Sequence, residues 1–436
     1  MHQIIFECEA ITPMFLAGAY RKDPELRPPS IKGALRFWWR AMNGHLLIND
    51  LRQKEAKIFG GRSENEGRSK IILRTRAKDI QKSSRLKEEY RLDWRFDSRL
   101  KTLIGRHSGI GYLFYSISLS GNKRSFYREK TRFELIISSI DKKALTHAIA
   151  SLWSLSFLGG IGARSRRGAG NFCVVDIKDK DGIVRDTGLE FYLREENVDN
   201  IADWLIKNYK IASNIVNHNK KTDFVCGYSN LSLSRIILSN RSFGSWIEAL
   251  NDIGKVYQDF RTRNKKDIFG TSVFGLPRKH LETTDKNYSR RSSPIIIKTL
   301  KSNNQYHWLV LRMAGEFLPQ DVVLKHRGKT QRPDYSRLDE FWHQLRLKNT
   351  ERILYMPDKL KDLKKRIVNM AGPSRIILFG SRARGDFNAI SDIDIAVENA
   401  RDVGVFDELI GNIDIVSIER VDKGLKEHIV MEGVTI

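Results

Sequence analysis

The chain has 436 residues, 41% apolar and 29% charged, which suits packed cores and roughly two to four domains. No stretch approaches the ~18 consecutive apolar residues of a membrane helix, and the first residues resemble a strand rather than a signal peptide. Three widely spaced cysteines exclude a disulfide framework and a cysteine-based zinc site. We therefore expect a cytoplasmic protein with no membrane partner.

The charge is distributed unevenly along the chain. The net charge is +24, yet residues 358–436 contain 12 basic and 14 acidic residues, a net of −2. Residues 1–357 therefore carry +26. A basic surface of this size is typical of a protein that binds a polyanion, and nucleic acid is the leading candidate.

The first 180 residues predict strands and helices in the order of a ferredoxin-like β-α-β-β-α-β plan, with an inserted region at Asp79–Gly111. Ser30 is expected to cap the first helix, and Gly159 and Gly160 to end the second in the left-handed conformation. The expected strands cover 2–11, 70–76, 112–118, 132–139 and 171–178, and the second, amphipathic helix covers 141–157.

A weaker second copy of this plan follows Gly188, with no visible sequence repeat. It has expected helices at 198–214, 242–263 and 336–345 and a hairpin formed by 294–300 and 305–313. A polar stretch at 347–350 leads to the next boundary. The expected fold class is α+β, with two ferredoxin-like (RRM-type) modules at 1–180 and 181–350 and a small third domain at 351–436.

A loop rich in glycine and arginine spans Gly159–Gly170, hereafter the Gly–Arg loop. Glycine lets backbone N–H groups approach a phosphate, and arginine adds fork-shaped donors for phosphate oxygens. Three basic side chains of the first helix, spaced four residues apart, extend the same expected track. The candidate RNA-binding residues are Gly160, Gly162, Arg164, Ser165, Arg166, Arg167 and Gly168 of the loop, and Lys32, Arg36 and Arg40 of the helix.

Catalysis by this basic body is not expected. His45, just beyond the first helix, is the nearest candidate for a general base that cleaves RNA. A lone histidine at a helix end is far more often structural, and the other histidines show no partner spacing.

The tail contains three aspartates in strand-like runs. Gly380 and Ser381 end one expected strand, and Asp392 and Asp394 alternate in the next, so both carboxylates lie on the same sheet face. Asp414 lies in a further strand-like run. Clustered carboxylates are costly unless a divalent cation neutralises them, and oxygen ligands suit Mg²⁺ or Mn²⁺. Such a site activates an attacking hydroxyl and stabilises a leaving pyrophosphate.

The body resembles a known family at two motifs. The run Thr-Pro-Met-Phe-Leu-Ala-Gly-Ala from Thr12 and the run Glu-Leu-Arg-Pro-Pro-Ser-Ile-Lys-Gly-Ala-Leu-Arg-Phe-Trp-Trp-Arg from Glu25 resemble the first subunit of the Cmr complex, an RNA-guided type III-B CRISPR effector. The Gly–Arg loop is similar to the glycine-rich loop of the RAMP superfamily. The resemblance implies an antiviral RNA-binding subunit that contacts guide RNA near its 3′ end, target RNA and other RAMP subunits.

The tail resembles the minimal nucleotidyltransferases of the polymerase-β superfamily, from its Gly-Ser turn, ten intervening residues and Asp-x-Asp. The resemblance implies that Mg²⁺ or Mn²⁺ and a nucleoside triphosphate, with ATP expected, are bound there. It implies that Asp392, Asp394 and Asp414 are catalytic and ligate metal. It also implies that Gly380, Ser381, Arg382 and Arg384 bind the nucleotide.

Three functions remain open at this point. The chain is an RNA-binding effector subunit whose tail transfers a nucleotide to RNA or protein, or a free-standing transferase whose basic body presents RNA. The third alternative is a structural subunit with an inactive tail. The sequence leaves the nucleotide and the acceptor undetermined.

Overall fold

The computed structural model describes residues 1–18, 23–61, 63, 66–115, 117, 124–217, 227–387, 391–402, 404–409 and 411–436. Over these ranges it forms three four-stranded sheets, which we assign to a first unit (residues 1–217), a second unit (227–353) and a third unit (358–436). None of the helices in the described ranges combines the length and apolar character needed to cross a membrane.

The first unit packs its two main helices, Pro28–Ala41 and Lys142–Leu158, on one four-stranded sheet. The sheet has the order β2-β7-β1-β8, and every neighbouring pair is antiparallel. The elements are β1 (His2–Ala10), α1 (Pro28–Ala41), α2 (Ile48–Phe59), β2 (Ile72–Asp79), β3 (Lys82–Ser83), α3 (Leu86–Glu89), β4 (Arg95–Asp97), β5 (Thr102–Ile104), α4 (Ser108–Leu113), β6 (Phe126–Tyr127), β7 (Arg132–Ser139), α5 (Lys142–Leu158), β8 (Phe172–Asp179), α6 (Ile183–Thr187) and α7 (Val198–Asn217).

The termini of α1 and α5 differ from the prediction. Helix α1 begins at Pro28 with Arg27 as N-cap, because proline fits the first helical turn, where no N–H partner is needed. Ser30 is therefore inside the helix. Gly159 ends α5 in an extended conformation, with φ −124°, not a left-handed one. A Cβ on Gly159 would lie 2.6 Å from Nε1 of Trp38, so close packing explains this glycine.

Two further expectations for the first unit are wrong. The start of the expected strand at 112–118 lies in helix α4, while residues 116 and 118 lie outside the described ranges. Helix α4 packs tightly on the second unit, since a Cβ on Gly109 would meet the carbonyl oxygen of Asn251 at 2.4 Å. Helix α5 is buried on nearly all sides rather than amphipathic, because α1, α7 and both sheets surround it.

The second unit repeats the strand arrangement of the first. Its sheet has the order β11-β12-β9-β15, which in chain order is again second, third, first, fourth. The elements are β9 (Asn230–Leu238), α8 (Trp246–Arg263), β10 (Glu282–Thr283), β11 (Ile295–Ser302), β12 (Gln305–Ala314), β13 (Leu324–His326), β14 (Lys329–Gln331), α9 (Ser336–Arg346) and β15 (Thr350–Ile353), with short 3-10 turns at Ser272–Phe274 and Lys286–Tyr288.

Strands β9 and β15 were missed by the sequence analysis. Strand β9 is buried along its whole length, so it lacks the alternation that marks a half-exposed strand. Ile236 packs into the core shared with the first unit, whereas Ile237 faces the core beneath α8 and α9. Because β15 pairs with β9, the expected boundary between residues 350 and 351 falls inside a strand. The expected boundary at 180 likewise separates α7 from α5, on which it packs.

The third unit is a mixed sheet with the order β18-β17-β16-β19, in which β17 and β18 are parallel. Its helix α10 packs Leu360, Leu363 and Ile367 onto this sheet. The elements are α10 (Asp358–Ala371), β16 (Arg375–Phe379), α11 (Gly380–Arg384), β17 (Ile393–Glu398), a 3-10 turn (Gly404–Glu408), β18 (Ile413–Ser417), α12 (Lys423–Glu432) and β19 (Val434–Thr435).

Candidate active site and nucleic-acid interface

The turn after β16 lies against a carboxylate. Gly380 has φ +68°, in the left-handed region that favours glycine. A Cβ at this position would lie 2.0 Å from Oδ2 of Asp394, so the close approach also requires glycine. The backbone N–H of Gly380 donates to Oε1 of Glu432 at 2.8 Å, which ties the turn to the end of α12.

Two of the three predicted carboxylates lie on neighbouring strands, and the third immediately precedes one of these strands. Asp394 in β17 is directly opposite Asp414 in the parallel strand β18, and Asp392 precedes Asp394 by two residues. Burial, and then the charges of Asp392 and Asp414, raise the pKa of Asp394. The carboxylates therefore repel one another, and a divalent cation with a preference for oxygen ligands would relieve this repulsion.

The donor set fits Mg²⁺ or Mn²⁺ in chemistry more closely than in arrangement. Within the described part of the chain, no group of three or more His, Cys, Asp or Glu side chains is arranged to hold a metal ion. Asp392, Asp394 and Asp414 thus share an electrostatic environment without converging on one point. Ligation of one ion by all three requires their side chains to rearrange.

Arg382, predicted to bind the nucleotide, contacts the main chain just before β17. Its guanidinium donates to the main-chain oxygens of Asp392 and Ser391, each at 2.9 Å. The same group lies 4.7 Å from the centre of the Phe387 ring. These contacts position the residues that lead into β17.

Arg384 is likewise bound to protein groups. Its Nη1 lies 2.8 Å from Oε2 of Glu432, and its Nε lies 3.4 Å from Oδ1 of Asp386. Burial alone lowers its pKa, but the charges of Asp386 and Glu432 raise the pKa overall. The Arg384 charge is therefore compensated by carboxylates. Through Glu432, the Arg384 side chain also helps to hold the Gly380 turn in place.

Glu432 is the residue whose importance the sequence analysis missed. It is only 8% exposed, and its two oxygens hold the Gly380 N–H and the Arg384 guanidinium. A buried carboxylate next to a glycine turn is costly without such partners. The available signal was a lone acidic residue at the apolar end of α12, within the run Ile-Val-Met-Glu-Gly.

The second unit also fixes the main chain around this turn. The N–H of Gly315 donates to the oxygen of Gly385 at 2.7 Å, and Arg235 donates to the oxygen of Glu432 at 3.2 Å. Arg346 donates to the main-chain oxygen of Gly433. Two sides of the candidate active site are thus attached to the body.

In the Gly–Arg loop, Arg166 contacts protein rather than an open phosphate site. Its Nη1 donates to the oxygen of Ser293 at 2.7 Å, and its guanidinium lies 5.2 Å from the centre of the Phe37 ring. Burial, and then the charge of Arg167, lower the pKa of Arg166 to about 10. In this structure the side chain of Arg166 is therefore held by protein groups, and its contact with phosphate stays a prediction.

Arg167 and Gly168 also contact the second unit. Arg167 donates to the oxygen of Ile295 at 2.7 Å and to the hydroxyl of Tyr257 at 3.2 Å. A Cβ on Gly168 would lie 2.4 Å from Cδ2 of Leu250. The loop therefore lies at the interface between the first and second units, and its glycines allow close packing there.

The remaining loop candidates border open clefts. Gly160, Gly162 and Ser165 line a cleft of about 370 Å³ that also contains Ser30 of α1 and Glu25, hereafter the loop cleft. Arg164 instead lines a cleft of about 420 Å³ next to the hairpin β4–β5, hereafter the hairpin cleft.

The three basic side chains of α1, Lys32, Arg36 and Arg40, are partly neutralised as a group. Arg36 and Arg40 both pair with Glu55 of α2, which is only 5% exposed, and the Arg40 Nη1 to Glu55 Oε1 distance is 2.7 Å. Lys32 donates to the oxygen of Ile71 at 3.2 Å, and burial lowers its pKa. These side chains accordingly offer less uncompensated positive charge to phosphates than their four-residue spacing indicated.

His45 lies in a third cleft of about 330 Å³, which also contains Lys54, Lys57, Lys70 and Asp141, hereafter the lysine cleft. Lys70 and Asp141 pair there at 2.6 Å.

Comparison with known protein families assigns both regions of the chain. The family model "RAMP superfamily" matches residues 7–173, and the model "Nucleotidyltransferase domain" matches residues 360–434. The second match contains the Gly380 turn, all three aspartates and Glu432.

Two curated relatives come from Pyrococcus furiosus. The chain is 27% identical over 332 residues to CRISPR system Cmr subunit Cmr1-1, covering 74% of this chain and 90% of that protein. It is 33% identical over 193 residues to CRISPR system Cmr subunit Cmr1-2, covering 41% of this chain and 98% of that protein. The apo crystal structure of Cmr1 from the same organism has a similar fold, with TM-score 0.57 at 22% identity, covering 81% of this chain and 99% of that one.

Proposed function

Because the chain belongs to the Cmr1 family of the RAMP superfamily, we propose that its first and second units form the RNA-binding body of a type III-B CRISPR effector subunit. In this role the body contacts guide RNA near its 3′ end, helps to capture target RNA and packs beside other RAMP subunits. The net charge of +26 over residues 1–357 is the observation that carries the proposal, since phosphate neutralisation dominates RNA affinity.

Both units of the body are, in this proposal, ferredoxin-like modules. The identical strand order of their sheets supports this, as does the placement of one helix after the first strand and another after the third. The unit boundaries that best fit the packing follow Asn217 and Ile353.

The RNA surface centres on the loop cleft and the residues beside it. Gly160, Gly162 and Ser165 border open space, and Arg164 extends the surface towards the hairpin cleft. Arg166 and Arg167 contact carbonyls, a sulfur, a hydroxyl and aromatic rings, none of which cancels their positive charges. These two arginines thus raise the local potential while they hold the loop in place.

Fluorescence anisotropy with a labelled single-stranded RNA tests this proposal. Across a NaCl series, the log–log slope of affinity is expected to be about −0.7 per neutralised phosphate. The double variant Arg164→Ala, Ser165→Ala should weaken binding and flatten the slope. Lys365→Ala with Arg366→Ala, on the exposed face of α10, is the control and should leave binding nearly unchanged. Equal affinity and slope in both variants would exclude the loop from the RNA surface.

For the third unit we propose nucleotidyl transfer from a nucleoside triphosphate, with ATP expected, to an RNA end or a protein side chain. The observation that carries this is the Gly380 turn packed against Asp394, which stands opposite Asp414. Mg²⁺ or Mn²⁺ held by Asp392 and Asp394 would supply neutralisation of the triphosphate charge.

The residues of the chain then have separate roles. Backbone N–H groups after Gly380, with the Ser381 hydroxyl, bind phosphate oxygens. Asp414 orients the acceptor hydroxyl and accepts its proton. The hydroxyl oxygen bonds to the α-phosphorus as the bond to the β-phosphate breaks, and pyrophosphate leaves. Arg384 and Glu432 keep the turn in position.

Incubation with Mg²⁺ and each of four labelled nucleoside triphosphates, in the presence of RNA or of partner proteins, tests the activity. Label on RNA that disappears in Asp392→Asn supports terminal transfer, and label on a protein supports modification of a protein. Asp402→Asn, an exposed aspartate outside the site, is the matched control. Absence of label on every acceptor would overturn the catalytic proposal.

A docking role is the second candidate for the third unit. It is favoured by the main-chain bonds from Gly315, Arg235 and Arg346, which attach the unit firmly to the body. If the third unit has a docking role, variants of Asp392 still assemble with other RAMP subunits. Variants that break the contacts between the end of α12 and the body do not. Co-purification of the two kinds of variant with those subunits separates the candidates.

A further inference from the structure

The hairpin cleft has a composition unlike the other two clefts. Its lining contains five cationic side chains, from Lys101, Arg164, Arg167, Arg261 and Lys265, and no carboxylate. The loop cleft contains Glu25, and the lysine cleft contains Asp141 paired with Lys70. The positive potential of the hairpin cleft is therefore the least compensated of the three.

The contacts made by Arg261 and Lys265 leave their positive charges in place. Arg261 donates to the oxygen of Thr271 at 2.8 Å, and Lys265 approaches the oxygen of Leu100 at 3.4 Å. Among the described residues, neither forms an ion pair with a carboxylate, and the same holds for Lys101. Hydrogen bonds to carbonyls orient these groups but do not neutralise them, so they remain attractive to anions.

Aromatic rings stand at the mouth of the same cleft. Phe96, in the short strand β4, is 62% exposed, and Tyr115, which follows α4, is 50% exposed. A large ring held in water on a two-stranded hairpin gains little from burial in its own fold. Every nucleic-acid base has a flat face that stacks on such a ring.

The cleft is formed without any partner. The side chain of Gln258 in α8 donates to the oxygen of Leu103 at 2.6 Å and to Thr102 Oγ1 at 3.0 Å, which fixes the hairpin. Behind it, α4 and α8 meet at two glycines, where a Cβ on Gly254 would lie 2.6 Å from the carbonyl carbon of Gly109. The inserted region at Asp79–Gly111 is thus docked on the second unit, and its Phe96 ring lines a preformed opening together with Tyr115.

We propose that the hairpin cleft binds one unpaired nucleotide of a single-stranded RNA, with its base stacked on Phe96 or Tyr115 and the adjacent phosphates held by Lys101, Arg261 and Lys265. This inference rests on the proposed RNA-binding function and gives the inserted region a role in it. A volume of about 420 Å³ is within the range of small-ligand sites. A paired A-form helix hides its base faces, so single strands are the substrate class.

Anisotropy measurements with a labelled single-stranded RNA and a matched hairpin RNA test the site. Phe96→Ala with Tyr115→Ala should weaken single-strand binding about tenfold and leave the salt slope unchanged, because stacking carries no charge. Lys101→Ala with Lys265→Ala should reduce the magnitude of the slope by about 1.4, since two phosphate contacts are lost. Lys54→Ala with Lys57→Ala, in the lysine cleft, removes the same charge and should leave the slope within experimental error.

Photocrosslinking locates the base directly. RNA containing 5-iodouridine should crosslink to Phe96 or Tyr115 in the wild-type chain, and Phe96→Trp should retain affinity. Crosslinks only at other positions, or unchanged affinity in the aromatic double variant, would overturn the assignment while leaving the proposed function intact. Displacement of the RNA by adenosine monophosphate at equal affinity would make this a mononucleotide site instead. A wild-type chain that binds no RNA would overturn both proposals.

Discussion

The chain contains two glycine-rich turns, and they use arginine in opposite ways. In the Gly–Arg loop, Arg166 and Arg167 donate to main-chain oxygens of the second unit. In the third unit, Arg384 pairs with the carboxylates of Glu432 and Asp386. Carbonyl partners hold an arginine and leave its charge active, whereas carboxylate partners hold it and cancel the charge.

This difference matches the net charges of the two regions. The loop belongs to a body with a net charge of +26, and the turn belongs to a tail with a net charge of −2. A polyanion is attracted by uncancelled charge at long range. A triphosphate site that works with a metal ion instead needs carboxylates close by, and a compensated arginine avoids competition with that ion. Under the proposed function, the same sequence signature, glycine beside arginine, serves two kinds of anion chemistry.

Removal of the carboxylate at the turn should have the largest effect. Glu432→Ala removes the acceptor of the Gly380 N–H and leaves Arg384 with Asp386 alone. The third unit should lose about 3 kcal/mol, near the lower end for a broken buried pair, because Arg384 is partly exposed and keeps this second carboxylate. All eight tryptophans lie in residues 1–357, so fluorescence does not report on this unit. Hydrogen exchange of the Arg375–Phe379 peptide measures the loss.

The matched control for this change is Glu427→Ala, on the exposed face of α12. Its exchange should equal that of the wild type. If both variants exchanged alike, the turn would be stabilised by something other than Glu432. Glu432→Gln, which keeps an oxygen for the Gly380 N–H, should fall between them.

Removal of an arginine in the loop should have a smaller effect, of about 2 kcal/mol. Arg166→Ala deletes a charged hydrogen bond to Ser293 and a ring contact with Phe37, which join the two units. Urea unfolding followed by tryptophan fluorescence reports on this body. Arg185→Ala, whose side chain is 88% exposed, is the control and should leave the midpoint unchanged. Equal urea midpoints for both variants would show that the interface between the first and second units does not depend on Arg166.

The sequence predicted the elements whose patterns are local. The alternation of His2–Ala10, the four-residue spacing in α1 and the Asp-x-Asp at the start of β17 all depend on neighbours in the chain. Strand β9 was not predicted, because burial on both faces removes the alternation of apolar and polar residues. Short β15 is recognisable only through its pairing with β9, more than a hundred residues earlier.

The same distinction between local patterns and distant partners applies to the site residues. Gly380, Asp392 and Asp394 were proposed from their spacing, and Asp414 from a strand-like run, and both are local signatures. The destinations of Arg166, Arg167 and Arg384 were not predicted, since each is decided by a partner distant in sequence, such as Ser293 or Glu432. Side-chain type alone indicates what an arginine is able to bind, and the tertiary fold decides what it does bind.

The carboxylates should give the smallest effect, with a sign set by pH. Since the folded-state pKa of Asp394 is raised by burial and by its neighbouring aspartates, ionisation destabilises the third unit as pH rises through that pKa. Asp394→Asn should therefore stabilise the unit at pH 7, by about 2 °C in melting temperature, and lose this advantage below the unfolded aspartate pKa of about 3.9. Calorimetry at the two pH values measures the change. Mg²⁺ should stabilise the wild type at pH 7 but not this variant, because the cation relieves the same repulsion, and equal Mg²⁺ responses would place the ion elsewhere.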